Sequence, residues 1–223
     1  MFAKLRQIIG ATDLDQAITA ELRAMMTRAG KLVHQAGDVF RGEPMSANEQ
    51  EAFYADDRRI NETEQRVRRQ VVSRVTLSSA VHRTRLLAFL SLVKDMERLG
   101  DYAKNLLEAA ALLPRPLPHP GVPEELDGIR RDVESILDEA YGVLESSDEE
   151  RAWILLDHGY QVSIRCDALL EGLARSDLPA PIAVPSALAT RYYKRVAKHL
   201  MNLLSSVVMP LDRIGYYDGS QRR

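Results

Sequence analysis

The stretch Leu92-Val93-Lys94-Asp95-Met96-Glu97-Arg98-Leu99-Gly100-Asp101-Tyr102-Ala103-Lys104-Asn105-Leu106 decides how the chain is read. Leu92, Met96, Leu99, Ala103 and Leu106, followed by Ala110 and Leu113, alternate steps of four and three, the spacing of one buried face of a long helix. Glu97 and Asp101 stand four apart on a different face. Two carboxylates at that spacing repel by a few tenths of a kcal/mol. Either they form a solvated surface, or something neutralises them. An oxygen-ligand site for Mg, Ca, Mn or ferric iron would do so.

Outward from this helix the same pattern recurs and strand signals are nearly absent, so the spacing predicts an all-α chain. A first helix is expected from about Thr12 to Phe40. Ser46 and Glu49 form a capping box that opens a second, running toward Thr76. The third starts near Ser78 and ends before Pro114. PRPLPHPGVP, residues 114–123, then breaks the helical pattern. Beyond it come helices at about Glu124 to Glu145 and Asp148 to Arg175, a second proline-rich break at DLPAPIAVPS, and a last helix from about Ser186 to Leu211.

Three helices, a linker and three helices suggest a duplication. Setting Glu97 to Leu107 against Lys194 to Leu204 pairs Arg98 with Arg195 and Asn105 with Asn202. The expected organisation is a first three-helix repeat over 1–113, a linker over 114–123 and a second repeat over 124–223, packed as two pseudo-symmetric bundles.

The second helix offers a neighbour for the acidic pair. Asp57, Asn61 and Glu64 lie beside the apolar stripe Phe53, Ile60, Val67 and Val71. A short connection makes helices two and three antiparallel neighbours. The oxygen-bearing faces then either converge on a cation or pair with Arg58, Arg68 or Arg98. The second helix's other arginines, Arg59, Arg66, Arg69 and Arg74, scatter among acids and read as a solvated face.

Composition narrows the function. A formal net charge of −2 gives no bulk attraction to nucleic acid or anionic membrane. The single cysteine, Cys166, excludes an intramolecular disulfide and reads as a small buried hydrophobe in a cytoplasmic protein. The first sixteen residues lack a secretory pattern, and no apolar run is long enough for a membrane span. No histidine follows a glutamate by three, which disfavours a ferritin-like di-iron centre. There is no P-loop, dinucleotide fingerprint or nucleophile elbow, and no catalytic constellation emerges. In the tail, Pro210 ends the last helix, and Tyr216 and Tyr217 are expected to fold back onto the bundle.

At Met96-Glu97-Arg98-Leu99-Gly100-Asp101-Tyr102-Ala103-Lys104-Asn105-Leu106 and Asp57-Arg58-Arg59-Ile60-Asn61-Glu62-Thr63-Glu64 the sequence resembles the PhoU family of phosphate-uptake and phosphate-signalling regulators. The resemblance implies six helices in two bundles and a hard cation, Fe or Mg among them, at an acidic motif made here by Glu97, Asp101, Asp57 and Asn61. It implies contact with the cytoplasmic components of a phosphate transporter and with a sensor histidine kinase, repressing the starvation response when phosphate is plentiful. Homodimerisation is left open. The positions matching Glu97 and Asp101 in the second repeat are Lys194 and Lys198, with Ser163 and Asp167 matching Asp57 and Asn61. Lysines repel a hard cation, so metal is expected only at the first repeat. The rival readings are a helical metal-dependent enzyme or metal store, and a metal-free helical adaptor.

Overall fold

A computed structural model describes residues 13–75, 80–116 and 121–221. Among these residues there are six α-helices and no strand: α1 Asp13–Arg41, α2 Ala47–Val75, α3 Ala80–Ala111, α4 Glu124–Ser146, α5 Glu149–Ala174 and α6 Ala180–Val208. A short 3-10 turn, Leu211–Arg213, follows. The expected helix boundaries at Thr12, Thr76 and Ser78, the N-terminal twelve residues and the middle of the linker lie outside the described residues.

The boundaries follow local chemistry. At the start of α2, Ser46 Oγ accepts from the Glu49 backbone N–H at 3.3 Å, while the Ser46 N–H donates to Glu49 Oε2 at 2.7 Å. This reciprocal box holds the Glu49 carboxyl below its usual range, chiefly through the Ser46 side chain. Between α4 and α5 the chain turns on Ser147 in the left-handed region at φ 53°, and Asp148 caps α5 by accepting from the Arg151 N–H at 2.9 Å.

The last helix departs from the sequence expectation. It begins at Ala180, six residues ahead of Ser186, so much of DLPAPIAVPS is helical. Pro181 stands in the first turn, where no N–H has an intrahelical partner, so it removes nothing. Pro185 lies one turn further in and removes a single bond, the one that would run to the Pro181 carbonyl. Ile182, Pro185, Ser186 and Ala189 are buried here, and that packing holds the turn helical. The helix stops at Val208 rather than Leu211, with Met209 extended and Pro210 unable to continue it.

α1, α2 and α3 pack on one another, as do α4, α5 and α6. The principal contacts between the two trios pair α3 with α6 and α1 with α4, helices of equal rank. One hydrophobic core runs through all six, and it contains the entire stripe Leu92, Met96, Leu99, Ala103, Leu106, Ala110 and Leu113. Phe53, Ile60, Val67 and Val71 of α2 are buried as their spacing predicts. No helix among the described residues is long and apolar enough to cross a membrane.

Candidate functional site

The acidic pair lies at a close approach of α2 and α3. A Cβ on Gly100 would sit 3.1 Å from Ile60 Cδ1, so the glycine of the motif is what lets the two backbones come this near. The approach carries Asp57 to the same place, 3.8 Å from that point. Asp57 and Glu97 are both buried, Asp101 is about a quarter exposed (24%), and Asn61 is half-buried with no side-chain hydrogen bond among the described residues.

Cations from α3 itself interleave with these acids. Glu64 Oε1 of α2 lies 3.9 Å from Lys94 Nζ, which is 2.7 Å from Glu97 Oε2. Arg98 comes next, 3.8 Å from Glu97 and 2.9 Å from Asp101 Oδ2. Lys104 Nζ then stands 3.8 Å from Asp101 Oδ1 and 3.5 Å from Asp57 Oδ2, returning the series to α2. Arg68 pairs with Glu64 at 2.6 Å. The result is an unbroken alternation of acid and base along the seam between two helices. It answers the repulsion at the i, i+4 pair, because Arg98 sits between Glu97 and Asp101 and touches both.

This arrangement tests the metal expectation. Three carboxylates and an amide are donors of the right chemistry for a hard cation. Each carboxylate, however, is within ion-pair range of a lysine or arginine, and among the described residues no group of three or more His, Cys, Asp or Glu side chains is placed to hold a metal. As arranged here, the three carboxylates are charge-compensated by protein groups.

In the second trio the matching positions behave differently. Lys194 reaches Asp167 on α5 at 2.5 Å, and Asp167 is largely exposed. Lys198 donates to the backbone carbonyl of Gly215 in the tail at 3.4 Å, while Ser163 is half-buried. The tail rests on α5 and α6. The Gly215 N–H donates to Ser205 Oγ at 2.9 Å, and Tyr217 packs between Trp153 and Tyr160 with centroid distances of 6.0 and 6.3 Å. Of the two tail rings only Tyr217 is buried. Tyr216 points to solvent with 73% exposure, because successive residues in an extended segment face opposite ways.

Three polar clusters escaped the reading from sequence. Asp56 ties α1 to α2 through Lys31 at 2.9 Å and holds Arg59 at 3.0 Å. Burial pulls its carboxyl upward, but the Lys31 and Arg59 hydrogen bonds outweigh this and leave it below its usual range. Glu134 joins the trios: it pairs with Arg130 at 2.5 Å and faces His34 of α1 at 3.6 Å, and burial raises its carboxyl despite those charges. Asp95 lies between α3 and α6, bonded to His199 Nδ1 at 2.8 Å and to the Asn202 amide at 2.9 Å. His199 stacks on Tyr102 at 5.6 Å. Asp95 had a legible signal, since three steps after Leu92 and four before Leu99 it falls on the apolar seam. Cys166 is buried as expected, and burial pushes its thiol up to about 12, which leaves it unreactive.

An all-helical pair of trios with an acidic, ion-paired seam in the leading trio defines the class: a helical-bundle protein. The PhoU domain matches residues 22–110, from within α1 to the last turn of α3, with the seam inside it. Over 157 residues the chain is 31% identical to the phosphate-specific transport system accessory protein PhoU homolog of Synechocystis, covering 68% of this chain and 69% of that protein. The chain belongs to the PhoU family. The crystal structure of PhoU from Pseudomonas aeruginosa superposes with a TM-score of 0.77 at 19% identity, covering 86% of this chain and 94% of that one. That of the phosphate transport system regulatory protein PhoU from Streptococcus pneumoniae gives 0.69 at 16% identity, with 88% and 92% covered. At those identities the two structures bear on the fold.

Proposed function

We propose that this protein is a non-enzymatic, cytoplasmic accessory regulator of phosphate transport and phosphate-starvation signalling. It acts by binding the cytoplasmic components of a phosphate transporter and a sensor histidine kinase. The observation that carries the reading is membership of the PhoU family across the residues that form the seam. Co-purification from phosphate-replete cells tests it. The expected result is recovery of a transporter component, together with constitutive expression of phosphate-starvation genes when the protein is deleted. Recovery of neither a transporter nor a kinase component, with normal repression in the deletion strain, overturns it.

A second reading, a hard cation held by Glu97, Asp101, Asp57 and Asn61, is favoured by one observation. Lys94 stands 2.7 Å from Glu97 Oε2 without hydrogen-bond geometry, and Asp57 has only Lys104 at 3.5 Å, so these oxygens are charge-compensated but not saturated. Cation entry requires Lys94, Arg98 and Lys104 to swing outward. Titration with Mg or Fe tests this reading, which is compatible with the regulatory one. On this reading wild type takes up metal and a variant carrying Glu97→Gln and Asp101→Asn does not; equal uptake by both removes it.

A further inference from the structure

The alignment of the two last helices of each trio has a consequence at the surface of α6. Lys94, Glu97, Arg98 and Asp101 of α3 alternate in sign, whereas their counterparts Arg191, Lys194, Arg195 and Lys198 on α6 are all positive. Their spacing is i, i+3, i+4, i+7, which places all four on one face over about 10 Å of helix. Arg191 and Arg195 are exposed, and neither guanidinium has an ion-pair or hydrogen-bond partner among the described residues. Lys194 meets the exposed Asp167, and among the described residues Lys198 meets only the Gly215 carbonyl. The ridge thus carries two like-charge i, i+4 pairs, each unfavourable by a few tenths of a kcal/mol, with a single carboxylate against them among the described residues.

We propose that this ridge is a docking surface for an acidic helical segment of a protein partner. Val184, 54% exposed, and half-buried Leu188 continue the same face toward the N-terminus of α6, at i−7 and i−3 from Arg191. A partner helix with an apolar anchor followed by carboxylates four apart matches that sequence of surfaces, and arginine forks suit carboxylates at such spacing. The ridge is one helix wide. Exposed Asp212 and Asp218 stand three residues to either side of Gly215, whose carbonyl Lys198 reaches, so a broad anionic lipid surface laid over this segment would meet acids as well as bases. The inference goes beyond the regulatory reading and does not depend on which protein supplies the acidic helix.

The test places a photo-cross-linking side chain at Leu188 of the full-length protein in its own cells and maps the adduct by mass spectrometry. The expected adduct is a protein segment with carboxylates at i, i+4 spacing. Its yield falls at least tenfold in R191E/R195E, stays within threefold of the parent in R191K/R195K, and the melting temperature is unchanged in both. A lipid adduct, a segment without such carboxylates, no adduct, or a yield indifferent to charge reversal overturns the proposal. An acidic segment from a protein with no part in phosphate transport supports it while counting against the regulatory reading, so the two fail separately.

Discussion

At equivalent places on their last helices, the two trios differ in who supplies the counter-charge. In the leading trio Glu97 and Asp101 lie in a buried seam, and Lys94, Arg98 and Lys104 thread between them and Asp57. In the trailing trio Lys194 and Lys198 stand at the edge of the bundle, one bridged to an exposed aspartate and the other to a backbone carbonyl. The close approach of helices has moved as well. In the leading trio the missing Cβ is on α3, at Gly100 against Ile60. In the trailing trio it is on α5, where a Cβ on Gly159 would sit 2.7 Å from Met201 Cγ, and the counterpart of Gly100 is Ala197. Two trios of like helix order can therefore pack alike while one holds its charges internally and the other turns them outward.

The largest expected effect comes from making the leading seam copy the trailing one. Glu97→Lys with Asp101→Lys leaves Lys94, Arg98 and Lys104 facing new ammonium groups in a buried place, and should cost about 3–5 kcal/mol in urea unfolding. A loss below about 1 kcal/mol would break the claim that the seam is charge-balanced from within. Gly100→Leu forces α2 and α3 apart and should cost about 1–3 kcal/mol. Adding Ile60→Ala should recover part of that, which sharpens the assignment of the clash to that contact.

Asp56→Asn weakens the tie between α1 and α2 and should cost about 1–2 kcal/mol at neutral pH. Because the Asp56 carboxyl titrates lower in the folded chain than in the unfolded one, its contribution is present above about pH 4 and is lost as pH falls through the folded value. The difference between wild type and variant should accordingly shrink in acid, read from unfolding curves across pH 2 to 7. The smallest effect belongs to the trailing trio. Lys194→Ala should change stability by less than about 0.5 kcal/mol, since Asp167 is mostly in solvent.

Much of this was legible from residue order. The capping box at Ser46 and Glu49 and the buried stripes of α2 and α3 follow from spacing, because helix geometry fixes which residues share a face. The start of α6 was misplaced because prolines read as breakers when only the local backbone is considered. Burial of Ile182 and Ser186 against the bundle overrides that local preference.

Sequence by itself determined that the chain is helical and which residues of α2 and α3 form their buried faces, because each of these depends on neighbours within a few turns. Lys94 with Glu97 and Arg98 with Asp101 pair within α3 at i, i+3, whereas the reach of Lys94 to Glu64 and of Lys104 to Asp57 depended on the rotation and distance of α2 against α3, quantities that no single helix encodes. Only the tertiary structure brought Lys104 to Asp57 and placed His199 and Asn202 on Asp95, since those partners lie 47 or more positions apart and meet through packing of the common core.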